Sequence, residues 1–206
     1  MKSNSDIVLD CMKKLFPNPK CELVFENNLQ LVVAVLLSAQ CTDKRVNIVT
    51  KELFLKCKTP KDYLMLGQNN LENIIKSCGL YHTKAKHILE MMQKIEKQGF
   101  PQTLLGLEQL SGVGRKTASC VMSIGFGKNA IAVDTHVFRI ANRIGITEAK
   151  TPLQSESQLK QIYKQNDWNK INLTFVLFGR QICTARNPKC KECQLNKICK
   201  FYKNMI

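Results

Sequence analysis

The chain has 206 residues, enough for one large domain or two small ones with a proper core. Hydrophobic content of 44% is ordinary, but 31 Lys plus Arg against 16 Asp plus Glu give a formal net charge of +15. Such an excess disfavours a cationic partner and points to a polyanion, nucleic acid first and an anionic membrane surface second. Lys, Asn and Ile are all frequent, however, and a coding bias toward A/T-rich codons would give the same look, so charge alone does not establish the partner. The N-terminal MKSNSDIVLDCMKK lacks the apolar core of a signal peptide. The longest apolar run, Leu31 to Leu37, is far too short to span a bilayer.

The pattern is helical nearly throughout. Ser5 is placed to cap a first helix carrying Ile7, Val8, Cys11 and Leu15, stopped by Pro17 and Pro19. Leu29 to Ala39 is apolar on almost every side and reads as a helix buried at the centre of a bundle. Thr42 or Asp43 caps the next helix, with Val46, Val49 and Phe54 inward, and Thr59-Pro60 opens another short one. Asn69 or Asn70 begins a helix with Leu71, Ile74, Ile75 and Cys78, closed by Gly79. Thr83 begins a long amphipathic helix with Ala85, Ile88, Leu89, Met92 and Ile95, closed by Gly99. Thr103 to Leu110 is a short helix, followed by a glycine turn and a helix from Lys116 to about Gly125. Ala130 to Val133 is β-like but very short. Helices over Thr135 to Ile144, Gln154 to Lys164 and Lys170 to Gln181 complete the set. These readings predict an all-α protein, with a helical bundle in the middle of the chain and both ends in a second lobe.

The stretch Leu110 to Asp134 carries most of the chemistry. Gly112-Val113-Gly114 is a turn whose backbone amides are free of intruding side chains, and a helix starting behind it forms an anion site suited to phosphate. A short helix, such a turn and a second helix make a helix–hairpin–helix, which grips a DNA strand without reading bases. Alone, the glycine pair is a weak signal, because Gly-rich helix turns are common. Lys116 follows at once, and Asp134 stands before the next helix, where Asp is a favoured N-cap.

The ten cysteines fall into two groups. Cys11, Cys21, Cys41, Cys57, Cys78 and Cys120 lie mostly among apolar neighbours and read as reduced thiols of a cytosolic protein. Cys183, Cys190, Cys193 and Cys199 form C-x6-C-x2-C-x5-C, a metal centre more readily than disulfides; zinc and iron–sulfur both accept four thiolates. Around them stand Arg186, Lys189, Lys191, Lys197, Lys200 and Lys203 against the single acid Glu192.

The ordered set LSGVGRKTA, VDTHVFR and the cysteine pattern resembles the bacterial endonuclease III family, DNA glycosylases and abasic-site lyases of base-excision repair. LLSAQCTD (Leu36 to Asp43) and CGLYHTKA (Cys78 to Ala85) are also similar to that family's, and the resemblance runs from about residue 20 to residue 202. One departure is Ser111, which stands where the hairpin usually has proline.

The resemblance implies a two-lobed helical glycosylase fold. A helical barrel domain over 18–128 would contain the helix–hairpin–helix at about 103–126, and 1–17 plus 129–206 would form an iron–sulfur cluster domain. It implies that Lys116 attacks C1′ of deoxyribose and forms a Schiff base, and that Asp134 accepts a proton and stabilises positive charge on the sugar. As a cap, Asp134 would keep one oxygen free for that work. Glu108 is a candidate for the same polar network, and His136 is expected to order the helix start. Gln40 and Leu80 match the two residues that fill the gap left by a flipped base, with a capping contact as the bland alternative for Leu80. Gly112, Val113, Gly114, Arg115 and Thr117 would hold the DNA backbone. Cys183, Cys190, Cys193 and Cys199 would bind a [4Fe–4S] cluster with a structural role.

The expected partner is duplex DNA with a damaged base or an abasic site, met by a monomer in the bacterial cytosol or nucleoid. Two alternatives stand beside the pyrimidine-damage enzyme. The adenine-removing relative lacks the nucleophilic lysine and carries a further C-terminal domain. A DNA-binding module without catalysis would have no use for Asp134.

Overall fold

The computed structural model describes residues 2–205, and among these the backbone forms helices and no strand. The chain divides into two compact units, Cys21–Lys128 and Met1–Lys20 with Asn129–Ile206.

The first unit is built around α2 (Asn28–Leu37), whose residues from Leu31 to Leu37 are all 5% exposed or less. A helix apolar on every face can only be satisfied at the centre of a bundle. Around it stand α3 (Asp43–Lys56), α4 (Pro60–Ile75), α5 (Tyr81–Gln98), α6 (Leu104–Glu108) and α7 (Arg115–Cys120). Side-chain caps start most of these: Asn27 for α2, Thr42 for α3, Thr59 for α4 and Thr103 for α6. The expected pair of helices is present within α4: the helix from Pro60 breaks at Gly67, whose φ of 72° lies in the left-handed region, and a second helical part follows directly, just ahead of the expected Asn69 or Asn70 start. α5 starts at Tyr81, two residues before Thr83, behind a left-handed Leu80. After α7 the helix widens over Val121–Gly125, where the Phe126 N–H reaches back to the Val121 carbonyl.

The second unit comprises α1 (Asn4–Leu15), α8 (Thr135–Ile144), α9 (Pro152–Ile162), α10 (Trp168–Gln181) and α11 (Lys200–Lys203). Its core joins Val8 and Met12 of α1 to Val137 and Ile140 of α8, Leu159 of α9, and Phe175 and Phe178 of α10. Leu195, from between the clustered cysteines, drops into the same core. α1 is capped by Ser3 and not by Ser5. Ser3 and Asp6 form a reciprocal capping box, which the Ser-x-x-Asp spacing supports at Ser3 only. α9 begins at Pro152 behind the Thr151 cap, again earlier than its hydrophobic pattern suggests. Ala130 to Val133 is buried but forms no strand.

Candidate active site

The glycine hairpin joins α6 to α7. The Val113 N–H donates to the Leu110 carbonyl at 3.1 Å, closing a turn whose third residue, Gly112, has a φ of 73°. That is the demand of a type II turn, which also favours proline at its second position. Here the second position is Ser111. Its hydroxyl donates to Glu90 Oε2 at 2.5 Å and lies 2.8 Å from His87 Nδ1. With its one proton given to the carboxylate, the hydroxyl accepts from the His87 ring N–H. Lys94 Nζ adds a bond to the Gln109 carbonyl at 2.9 Å, so α5 holds the hairpin at two points. Gly112 also has no room to spare: a Cβ there would stand 2.9 Å from both His87 Cβ and Leu36 Cδ1.

Gly114 is the N-cap of α7 and brings no side chain to it. The first bond within the helix is from the Ala118 N–H to the Gly114 carbonyl at 2.9 Å, so the amides of the opening turn have no partner in the helix. Lys116 lies in that opening turn with its side chain exposed, and Thr117 beside it is half-buried. Arg115 approaches Glu108 Oε2 at 3.5 Å, which ties Glu108 to the hairpin's cation. Gln40 and Leu80 sit on two other loops of this unit, both exposed. They are the two non-glycine residues with positive φ among those described, at 55° and 47°.

Asp134 belongs to the other unit. Its Oδ1 accepts from the His136 and Val137 N–H groups at 2.9 and 2.8 Å, an N-cap of α8. The expectation of a free second oxygen needs correction, because Oδ2 stands 3.1 Å from His136 Nδ1. Each carboxylate oxygen has two lone pairs, so Oδ2 keeps acceptor capacity while the imidazole fixes its direction. His136 is pressed against α10, where a Cβ on Gly179 would come 2.8 Å from its Cδ2.

The same helix α8 carries the support of the cysteine segment. Arg139 donates to the Gly179 carbonyl at 3.2 Å and to the Cys183 carbonyl at 2.9 Å. One turn later Arg143 donates to the Thr184 and Ala185 carbonyls at 2.8 and 2.9 Å and stacks on Phe201, 4.4 Å from the ring centre. Cys183, Cys190, Cys193 and Cys199 all line one small cavity with Ile144 and Phe178 at its apolar wall. Burial pushes the Cys193 thiol up to about 11. Among the described residues no three His, Cys, Asp or Glu side chains converge as around one metal ion. Arg186, Lys189, Lys191, Lys197, Lys200 and Lys203 around them are all exposed, with Lys200 2.6 Å from Glu148.

His87, Glu90, Arg139 and Arg143 did not emerge as site residues from the sequence. For the arginines a signal exists, since Arg139 and Arg143 share one face of α8 at a spacing of one turn. For His87 and Glu90 there is none, because their partner Ser111 reaches them only when the hairpin folds back on α5.

An all-helical chain with a glycine hairpin between α6 and α7, a lysine directly behind it and an N-capping aspartate at the head of α8 matches the class of helical base-excision DNA glycosylases. Residues 33–165 match the HhH-GPD superfamily base excision DNA repair protein family. The chain is 46% identical over 199 residues to endonuclease III of Bacillus subtilis, covering 95% of this chain and 91% of that protein. It is 42% identical over 201 residues to endonuclease III of Rickettsia conorii, covering 96% of each. A solved trapped endonuclease III–DNA covalent intermediate, an estranged-adenine complex, superposes with a TM-score of 0.94 at 41% identity, covering 100% of this chain and 99% of that one. A thermostable thymine-DNA glycosylase shares the fold, with a TM-score of 0.86 at 21% identity. The chain belongs to the endonuclease III family.

Proposed function

We propose that this protein is a bifunctional DNA glycosylase and abasic-site lyase that removes oxidised or damaged pyrimidines from duplex DNA. The observation that carries the reading is an exposed lysine, Lys116, in the uncapped opening turn of α7, directly behind a glycine hairpin. The opening-turn amides of α7, which the helix itself does not use, suit a phosphate of the DNA backbone, and Arg115 adds a cation beside it. A backbone held there sets the sugar at a fixed distance from the lysine amine.

Lys116 Nζ, once neutral, attacks C1′, and the glycosidic bond breaks with its electron pair leaving on the base. Asp134 takes the proton that the amine gives up and stabilises the positive charge that builds on the sugar. Its cap on α8 and the His136 ring support this role by holding both oxygens in place. Ring opening converts the adduct to a Schiff base, which acidifies C2′. Loss of the C2′ proton expels the 3′ phosphate, cutting the strand, and water releases the lysine. Gln40 and Leu80 fill the space left by the flipped nucleotide, Gln40 toward the orphaned base and Leu80 as a wedge.

Cys183, Cys190, Cys193 and Cys199 would hold a [4Fe–4S] cluster. The four thiols line one cavity, and four cysteine side chains with no histidine or carboxylate among them are a donor set that an iron–sulfur cluster accepts. Held by these four cysteines, such a cluster would tie together the segment from Cys183 to Cys199 that carries the exposed Arg186, Lys189, Lys191 and Lys197. The work belongs to the bacterial cytosol, at the nucleoid.

Borohydride reduction tests the lysine chemistry. The protein incubated with an abasic duplex and borohydride is expected to give a covalent DNA adduct, and Lys116→Gln is expected to abolish it. An adduct that survives in Lys116→Gln overturns the assignment, and no adduct with the unaltered protein overturns the lyase.

A further inference from the structure

Lys84 is buried, 4% exposed, in the first turn of α5. Its three ammonium protons have three main-chain acceptors: the carbonyls of Leu37 at 2.9 Å, Ala39 at 2.8 Å and Cys78 at 2.8 Å. An ammonium carries three donors, so its hydrogen bonding is complete. Leu37 ends α2, where carbonyls lack helical partners and the helix dipole favours a cation, and Ala39 lies just past the Ser38 cap. The third belongs to the turn between α4 and α5.

The placement of those carbonyls is what matters. Ala39 directly precedes Gln40, and Cys78 lies two residues before Leu80. Gln40 and Leu80 are the described non-glycine residues whose φ is positive, and such backbone persists only where its surroundings over-determine it. Leu80 has no side-chain cap to hold it at the head of α5, and the Lys84 N–H takes its carbonyl at 2.9 Å. Lys84 therefore touches both strained loops, one through its ammonium and the other through ammonium and backbone together. Burial lowers its pKa, and the nearby Cys78 and Cys41 thiols offset only part of that effect. A cation kept in such a place at this cost is explained by what it fixes.

We propose that Lys84 is a positioning residue that clamps the Gln40 loop and the Leu80 loop into one two-pronged wedge for the DNA duplex. This rests on the reading of Gln40 and Leu80 as the residues that enter the duplex. Neither prong can then retreat without breaking bonds shared with the other. The clamp matters where a base stack must be opened and held, and not where the sugar is already unstacked.

Cleavage of one abasic site, in a duplex and in the same strand alone, separates these cases. Lys84→Met, Lys84→Arg, Gln40→Ala and Leu80→Ala are compared with the unaltered protein by the duplex-to-single-strand ratio of kcat/KM, with Tm measured in parallel. Lys84→Met is expected to lower the ratio about tenfold or more, equivalent to ~1.4 kcal/mol of barrier. Lys84→Arg keeps the charge but presents a planar fork in place of three converging donors, so a smaller drop is expected, and this variant carries the test if the methionine form does not fold. Gln40→Ala and Leu80→Ala should lower the ratio as well. Equal losses on both substrates for the Lys84 variants, with the Gln40 and Leu80 variants still lowering the ratio, would overturn the clamp and leave the insertion reading standing. An unmoved ratio in Gln40→Ala and Leu80→Ala would overturn the insertion reading, and the clamp with it.

Discussion

At position 111 a serine takes over by hydrogen bonding what a proline would do by ring geometry. Proline fixes φ at the second position of a type II turn, whereas Ser111 is held from outside by Glu90 and His87 on α5. Ser111→Ala removes that anchor and leaves a histidine donor and a carboxylate acceptor to water, at a cost of about 1 kcal/mol. Urea unfolding measures that loss, and weaker binding to an abasic-analogue duplex should accompany it. Gly112→Ala is worse placed. It meets both an unfavourable φ and a Cβ 2.9 Å from two side-chain atoms, so a loss of about 1–3 kcal/mol is expected in the same unfolding experiment. Asp134 is the opposite case, a residue whose two roles can be separated. Asn is as good an N-cap as Asp. Asp134→Asn should therefore hold Tm close to that of the unaltered protein while slowing base release by about 10²–10⁴-fold, the usual worth of a positioned proton acceptor. Full turnover in Asp134→Asn would remove the aspartate from the mechanism.

Helices were legible where local chemistry alone decides them. Thr59-Pro60 with Asp62 states a helix start in four residues, and the structure adds the reciprocal bond from the Thr59 N–H to Asp62 Oδ2 at 2.8 Å. Thr59→Ala should cost about 1 kcal/mol, lowering Tm by a few degrees. The starts of α5 and α9 and the cap of α1 were read late because apolar periodicity begins only where a helix meets the core, after the cap and first turn. The break between the two parts of α4 was legible as a gap between two helical patterns, and the φ of 72° at Gly67 is the backbone feature that makes it. Lys84 was the clearest overlooked signal, standing at helical spacing from Ile88, Met91 and Ile95 on the buried stripe of α5. The site itself was legible as residues and not as relations. Lys116, Asp134 and the cysteines stand out in the sequence, whereas the supports from α5 and α8 join positions from 15 to 44 residues apart. Arg143 tests one such support: Arg143→Ala frees the Thr184 and Ala185 carbonyls, and iron retained after dialysis against a chelator should fall relative to the unaltered protein.

At the scale of the whole molecule, a net charge of +15 could be a DNA footprint or a drift in codon use, and the total cannot distinguish them. The placement of the charges can. Lys191 and Lys197 are exposed beside the clustered cysteines, whereas Lys200 is held 2.6 Å from Glu148 and Lys56 is held 2.7 Å from Glu52. A lysine that meets a phosphate releases condensed counterions on binding, so log K falls with log salt by about 0.9 for each phosphate neutralised. If the cysteine segment lies along the backbone, Lys191→Ala and Lys197→Ala should each reduce that slope by about one. Lys56→Ala, on a cation already paired by a carboxylate one turn away, should leave it nearly unchanged, and Lys200→Ala should fall between. Anisotropy titrations of an abasic-analogue duplex from about 50 to 200 mM salt give all five slopes, a range over which a protein with several phosphate contacts loses orders of magnitude in affinity. Equal, small effects at every site would assign the excess to composition. A loss confined to Lys191 and Lys197 would make the cysteine segment a DNA-binding element, built around the same four cysteines that sequence spacing singles out.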